Sequence, residues 1–82
     1  NKIKVIANID DNDLKILTSL KELRLNIARE KSIPAFVIFT DSSLIEMAKM
    51  KPKNSQEMIK INGVGPSKLK KYGSSFLEVI NQ

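Results

Sequence analysis

The chain has 82 residues, a formal net charge of +5 and 41% hydrophobic residues. That length supports one domain with a single small core, and the hydrophobic content is too high for a disordered tail. Cysteine and histidine are absent, which excludes disulfide bonds, thiolate metal sites and the usual general base of an enzyme. No apolar run approaches the roughly 20 residues of a membrane span, and no signal-peptide pattern opens the chain. These exclusions favour a binding domain that has no catalytic residues, cofactor, bound metal or membrane contact.

The first nine residues alternate weakly between apolar and polar side chains, and no other segment has the periodicity of a partner strand. We therefore expect residues 1–9 to form a linker or extended arm and residues 10–82 to form the domain. A first helix is predicted from about Asp13 to Lys31. Its apolar residues recur at spacings of four, three and four along one helical face, at Ile16, Leu20, Leu23 and Ile27. Leu14 and Leu17 widen that face.

Three aspartates stand at the start of this helix: Asp10, Asp11 and Asp13. Their carboxylates suit a helix N-terminus, where one can cap free N–H groups and the others interact favourably with the helix dipole. The same oxygens suit a hard metal cation, but nothing else in the sequence completes a coordination shell. We therefore interpret the cluster as a helix cap.

Ser32-Ile33-Pro34 ends the first helix, because the residue before a proline is pushed out of the helical region. The apolar segment 35–39 has the length of a strand but lacks a partner, so we expect it to pack over the core as a turn of 3₁₀ helix. Thr40 or Asp41 then caps a second helix over residues 42–50. The buried side of that helix is predicted to contain Leu44, Ile45, Met47 and Ala48.

Asn54 is expected to cap a very short third helix, with Glu57 placed three residues later to bond back to the cap. A Gly63-Val64-Gly65 turn then leads into a fourth helix over about residues 66–72.

Gly73 is expected to break the fourth helix, and Ser74 or Ser75 to cap a last helix that continues to about Ile80. The predicted fold is therefore all-α, a compact bundle of five short helices that contains a Gly-Val-Gly helix-turn-helix element.

The Gly63-Val64-Gly65 turn and the helix after it form the most informative stretch of the sequence. Two glycines around one apolar residue let the backbone turn sharply and approach another molecule closely. The next helix begins with N–H groups that lack internal partners and carry partial positive charge, and Pro66 suits its first turn. These features suit a nucleic-acid phosphate, so Gly63 and Gly65 are candidate contacts. The alternative is a purely structural turn between two helices.

Positive charge is concentrated in the same part of the chain. Seven lysines lie between positions 49 and 71, against the single acid Glu57. We expect these lysines to bind nucleic-acid phosphates: Lys49, Lys51, Lys53, Lys60, Lys68, Lys70 and Lys71. On charge alone, an anionic membrane or a solvated surface that binds nothing would fit as well.

The order of these motifs resembles the HRDC (helicase and RNase D C-terminal) domain, most closely the version in bacterial RecQ-type helicases. The resemblance covers about residues 14–80. It rests on Pro34-x-Phe36-Val37-Ile38-Phe39-x-Asp41, on Asn62-Gly63-Val64-Gly65 and on Lys71-Tyr72-Gly73-x-x-Phe76-Leu77. Further matching positions are Leu20, Leu23, Arg24, Ile27, Ala28, Ile33, Leu44, Glu46, Met47, Ala48, Met58, Ile61, Lys68 and Leu69.

The resemblance implies a five-helix SAM/HRDC-like fold. It also implies an accessory role, in which a monomeric domain binds single-stranded or partly duplex DNA weakly and without sequence preference. The parent chain would be an ATP-dependent DNA helicase of DNA repair and recombination, cytoplasmic and associated with the bacterial nucleoid. Two alternatives stay open: a module that docks on the helicase core or an acidic partner, and the RNA-binding tail of an RNase D-like exonuclease.

The resemblance also assigns roles to two side chains. An aromatic residue at the third position of a Pro-Pro-aromatic run is suggested to stack on a base in RecQ-like members, and the matching residue here is Phe36. Such stacking contributes about 1–3 kcal/mol and tolerates any base. The alternative is that Phe36 belongs to the core, as we expect for Phe39. Arg24 matches another family position, and we expect it to form a structural ion pair with an acid such as Asp41.

Overall fold

The computed structural model of the protein describes residues 10–82, so the expected linker over residues 1–9 lies outside the described residues. Within residues 10–82 the backbone forms helices, turns and loops, without any strand. The prediction of an all-α bundle of about five helices is therefore confirmed. No helix in this part of the chain is both long and apolar enough to cross a membrane.

The first and longest helix, α1 (Asp11–Lys31), begins two residues earlier than predicted. Asp10 caps it, because its Oδ1 accepts a hydrogen bond of 2.8 Å from the N–H of Asp13. This bond confirms the interpretation of the aspartate cluster as a helix cap. The helix ends at Ser32, whose φ of 55° is left-handed.

The buried face of α1 is centred one position away from the predicted stripe. Leu17 and Leu20, both predicted on this face, are almost fully buried together with Ala28, whereas Ile16, Leu23 and Ile27 flank them and are half-buried. The same face of α1 also contains Asp13 and Arg24, which both form ion pairs. Apolar spacing misplaced the centre of the face because it treats charged residues as exposed.

A single α-helical turn, α2 (Ala35–Ile38), replaces the predicted 3₁₀ turn. Helix α3 (Asp41–Met50) follows and is capped by Thr40, whose Oγ1 accepts a hydrogen bond from the N–H of Ser43. The expected core residues of α3 are buried, with Ile45 less deep than the others: Leu44, Met47 and Ala48 are fully buried.

The short helix α4 (Ser55–Met58) is capped by Asn54, whose Oδ1 accepts a 2.9 Å hydrogen bond from the N–H of Glu57. Glu57 bonds back, but to a different residue than predicted. Its Oε1 accepts a hydrogen bond of 2.9 Å from the N–H of Lys53, the residue before the cap. The two bonds together fix the loop between α3 and α4.

The C-terminal helical run is continuous from Pro66 to Ile80. It consists of α5 (Pro66–Lys68), a π-helical turn (Leu69–Gly73) and α6 (Ser74–Ile80). The predictions that Gly73 breaks a helix and that Ser74 or Ser75 caps a new one are therefore wrong.

Gly73 lies inside the run because of packing. Its φ of −53° and ψ of −45° are ordinary helical values. A Cβ at Gly73 would lie 2.7 Å from Leu69 Cδ1, so the missing side chain makes room for Leu69 within the π turn. Glycine allows close packing here, whereas in a sequence it usually indicates a turn or the end of a helix.

Two ion pairs show that α1 and α3 run antiparallel. Arg24, in the C-terminal half of α1, pairs with Asp41 at the start of α3, and Asp13 pairs with Lys51 just after α3. We call these the Arg24 end and the Asp13 end of the bundle. The chain terminus returns to the Asp13 end, where Asn81 Nδ2 donates a 3.1 Å hydrogen bond to the carbonyl of Pro52.

Aromatic residues fill the core near the Arg24 end. Phe39 is fully buried, as predicted, and meets Phe76 and Tyr72 edge-to-face at centroid distances of 4.9 and 6.1 Å. Such geometry is favoured by the charge distribution of aromatic rings.

Candidate nucleic-acid interface

Helix α2 presents two apolar side chains to solvent. Phe36 is 67% exposed and Val37 is 43% exposed, whereas Ile38 and Phe39 are fully buried. Ala35 and Ile38 at the two ends of the turn pack against the core, and Phe36 and Val37 between them face outward. Phe36 is therefore available for stacking and does not belong to the core.

Lys68 lies at the same end of the bundle. Its Nζ is 6.0 Å from the centroid of the Phe39 ring, and Phe39 follows Phe36 by three residues. The side chain is half-buried, so its apolar stem packs against the bundle while the ammonium group reaches the surface.

The structure adds Lys31, which the sequence analysis missed. Its Nζ is 5.9 Å from the centroid of the Tyr72 ring, and that ring meets the Phe39 ring. The predicted lysine contacts all lie between positions 49 and 71. The signal that would have found Lys31 is its place in the last turn of α1, five residues before Phe36. We call Lys31, Phe36 and Lys68 the aromatic–lysine surface.

The two glycines of the Gly-Val-Gly turn have different roles. Gly63 has a φ of 91°, a conformation that only glycine adopts readily, and the turn around it is held on α3. Ser43 Oγ donates a 2.7 Å hydrogen bond to the carbonyl of Asn62, and the N–H of Asn62 donates to Glu46 Oε2 at 3.4 Å. The sharp turn is confirmed, and at Gly63 its structural reason is visible.

Gly65 is open on its outer side. Its φ of −93° and ψ of 169° are extended values, and a Cβ built there would meet no atom within 4 Å. The backbone before α5 is therefore accessible to another molecule at Gly65, as a phosphate contact requires.

The loop after α3 and the glycine turn lie at opposite ends of that helix. Ser43 touches the turn, whereas Lys51 lies eight residues later at the other end of α3, which corresponds to about 12 Å of helix rise. The Lys51 ammonium group is paired with Asp13, so part of its charge is already compensated. Lys53 follows in the same loop, and Lys49 is exposed on the last turn of α3.

The remaining lysines point in several directions. Lys70 lines an open groove of about 680 Å³, together with Ile59, Pro66, Leu69 and Leu77. Lys68, two residues away, instead faces Phe39. Lys71 and Lys60 are exposed.

Of the ten predicted contacts, the structure places Phe36 and Lys68 at the same end of the bundle, and it does not gather the seven lysines into one cluster.

Arg24 forms the structural ion pair that the sequence analysis expected. Its Nη2 lies 2.7 Å from Asp41 Oδ1, and its Nη1 donates a 2.9 Å hydrogen bond to the carbonyl of Phe39. The side chain is only 13% exposed. Arg24 is therefore largely buried and joins α1 to the segment after α2.

Residues 13–80 match the HRDC domain family. This chain belongs to the HRDC domain family. A solved structure, D. radiodurans RecQ HRDC domain 3, is similar to it with a TM-score of 0.82 and 30% identity, over 87% of this chain and 93% of that chain. The resemblance noted from the sequence motifs is thereby confirmed, in fold as well as in family.

Curated relatives of this HRDC domain are much longer proteins. The ATP-dependent DNA helicase RecQ of Bacillus subtilis is 42% identical over 74 residues, which cover 90% of this chain and 12% of the helicase. The ATP-dependent DNA helicase UvrD2 of Mycobacterium tuberculosis is 41% identical over 70 residues, which cover 85% of this chain and 10% of the helicase. The chain thus spans about a tenth of the length of these relatives.

Proposed function

We propose that this HRDC domain is an accessory nucleic-acid-binding domain of an ATP-dependent DNA helicase. Relatives from two differently named helicases, RecQ and UvrD2, support this parent, with the ATPase core elsewhere in a longer chain. The domain binds single-stranded or partly duplex DNA weakly, without sequence preference and in a salt-sensitive way. The parent helicase acts in the bacterial cytoplasm, in repair or recombination of the chromosome.

The exposed ring of Phe36 is the observation that carries this proposal. It is 67% exposed, so it contributes little to the core, and the Lys68 ammonium group lies at the same end of the bundle, 6.0 Å from the centroid of the Phe39 ring. A base offers its flat face to such a ring only when it is unpaired, because both faces are covered inside a duplex. Lysines at the same end of the bundle can then neutralise the neighbouring phosphates.

The same geometry accounts for the weak and unspecific binding. Stacking accepts every base, and phosphate contacts carry no sequence information. With Lys31 and Lys68 each neutralising one phosphate, the slope of log affinity against log salt should be about −1.4 for a single strand. Contacts by other lysines would steepen that slope by about 0.7 each.

The test is a fluorescence anisotropy titration of a labelled oligothymidine at two salt concentrations. We expect Lys68→Glu to weaken binding several-fold and to reduce the salt slope. Lys15→Glu is the matched control, since it makes the same change of charge on an exposed lysine that shares a surface with Lys51 at the Asp13 end. Binding that ignores salt, or equal losses in the two variants, would exclude this site.

A protein-docking role is the second candidate, and the exposed apolar pair Phe36 and Val37 favours it. The domain would then dock on the helicase core, and its lysines would steer the encounter. No affinity for DNA, combined with binding to the separately expressed helicase core that Val37→Asp abolishes, would support docking instead. An oligouridine in the same titration tests whether the partner is RNA.

A further inference from the structure

Arg24 links α1 to both of the residues that flank Thr40. Its guanidinium donates to the carbonyl of Phe39 at 2.9 Å and pairs with Asp41 at 2.7 Å. A charged group with 13% exposure is costly to bury unless several partners satisfy it. Within residues 10–82, Arg24 thus supplies the polar anchor for the segment that leaves α2.

Helix α2 depends on such external anchors, because a four-residue helix is not stable alone. Its N-cap residue Pro34 makes no side-chain capping bond. At its entry, the N–H of Ile33 donates a 3.0 Å hydrogen bond to the carbonyl of Ala28. At its exit, Arg24 holds the carbonyl of Phe39, whose ring is buried. The direction in which Phe36 points follows from how these two ends are fixed.

We propose that Arg24 is a positioning residue of the DNA site, which holds α2 so that the Phe36 ring stays outward in a stacking orientation. This inference rests on the proposed function. Arg24 acts through Phe36 and makes no contact with DNA. The planar guanidinium holds two acceptors in fixed directions, which the single ammonium group of a lysine cannot do.

A double-mutant cycle tests the proposal, with Arg24→Lys, Phe36→Ala and the double variant. Affinity for the labelled oligothymidine is measured at a temperature where circular dichroism shows every variant folded. We expect Phe36→Ala to lose about fivefold or more, in line with the lower limit for stacking. Arg24→Lys should lose about threefold in the wild-type background and almost nothing in the Phe36→Ala background, because coupled residues are not additive.

Each result decides between the two proposals. The positioning role is excluded if Arg24→Lys weakens binding equally in both backgrounds. It is also excluded if Phe36→Ala weakens binding and Arg24→Lys does not. In either case the proposed function stands. If Phe36→Ala leaves the affinity unchanged, the stacking site and the positioning role both fail. The loss from Lys60→Ala should add to that of Arg24→Lys, which shows that non-additivity is specific to Phe36.

A salt titration separates positioning from direct contact. If Arg24 touched a phosphate, Arg24→Gln would reduce the slope of log affinity against log salt by about 0.7. A positioning residue leaves that slope unchanged while the affinity falls. Where Arg24→Gln does not fold, the cycle with Arg24→Lys, which keeps the charge, still decides the proposal.

Discussion

The hydroxyl group of Ser43 occupies the space in which a Cβ of residue 63 would lie, and residue 63 is glycine. Ser43 is 2% exposed, and its Oγ donates a 2.7 Å hydrogen bond to the carbonyl of Asn62. The first turn of α3 and the glycine turn fit together because one side lacks a side chain and the other provides a hydroxyl donor. This contact fixes the backbone that leads to α5 and to the Lys68 ammonium group.

Gly63→Ala should lower the free energy of unfolding by about 2–4 kcal/mol, measured by urea denaturation. The alanine must adopt a φ of 91°, which is strained by about 1–3 kcal/mol for a residue with a Cβ. It must also displace the Ser43 hydroxyl, which loses its bond to the Asn62 carbonyl, for about 1 kcal/mol more.

Gly65→Ala is the matched control for this prediction. Its backbone is extended and a Cβ there meets no atom, so the free energy of unfolding should change by no more than about 0.5 kcal/mol. If a phosphate approaches the backbone at Gly65, the same variant should bind oligothymidine less tightly. Equal destabilisation by the two alanines would contradict the role of Ser43.

The sequence predicted helices well where local rules decide them. Asp10, Thr40 and Asn54 all cap helices as expected. A short polar side chain just before a helix can accept a hydrogen bond from a free N–H group of the first turn. The end of α1 was also predictable from Pro34.

Features that depend on how side chains pack in three dimensions were not predictable in the same way. Gly73 looked like a helix breaker, and only its packing against Leu69 explains why it lies inside a π turn. Lys51 looked like a free cation, since its partner Asp13 is 38 positions away. Phe36 and Phe39 have the same side chain in one short run, and the three-dimensional path of α2 alone decides which is exposed.

Phe36→Leu and Phe36→Tyr should separate stacking from a general apolar contact. Leucine keeps an apolar side chain but has no ring, so the affinity for oligothymidine should fall about fivefold or more. Tyrosine keeps the ring and should bind like the wild type. Neither change should affect stability much, because the ring is 67% exposed.

Met50→Leu provides the control for these two variants. Met50 is 68% exposed, and it lies in the last turn of α3, at the Asp13 end and away from Phe36. This change should leave the DNA affinity unchanged. Should leucine at position 36 bind DNA as well as tyrosine does, base stacking would be excluded as the role of this residue.

Lys31→Ala should reduce the slope of log affinity against log salt by about 0.7, because one phosphate contact is lost. The expectation follows from the position of the Lys31 ammonium group over the Tyr72 ring, at the end that carries Phe36. Arg29→Ala is the control. Arg29 is exposed and lies two residues before Lys31. Because successive residues point about 100° apart around a helix, its side chain leaves a different face of α1. An equal change of slope in both variants would indicate a diffuse charge effect and no defined contact at Lys31.

Ser32→Gly and Lys51→Gly should shift stability in opposite directions. Both residues end a helix in the left-handed region, with φ of 55° and 49°, where a side chain costs about 1–2 kcal/mol. Glycine removes that strain but loses about 0.5–1 kcal/mol through its greater freedom in the unfolded chain. Ser32→Gly should therefore raise the free energy of unfolding by about 0.5–1 kcal/mol.

Lys51→Gly relieves the same strain but also removes the partner of Asp13, whose side chain is 12% exposed. An unpaired carboxylate at that depth outweighs the relief, so we expect a net loss of about 1 kcal/mol in urea denaturation. The affinity for oligothymidine should fall less than in Lys68→Glu, because Lys51 lies at the Asp13 end, away from Phe36. Equal gains in stability from the two glycines would show that the Lys51–Asp13 ion pair contributes nothing to folding.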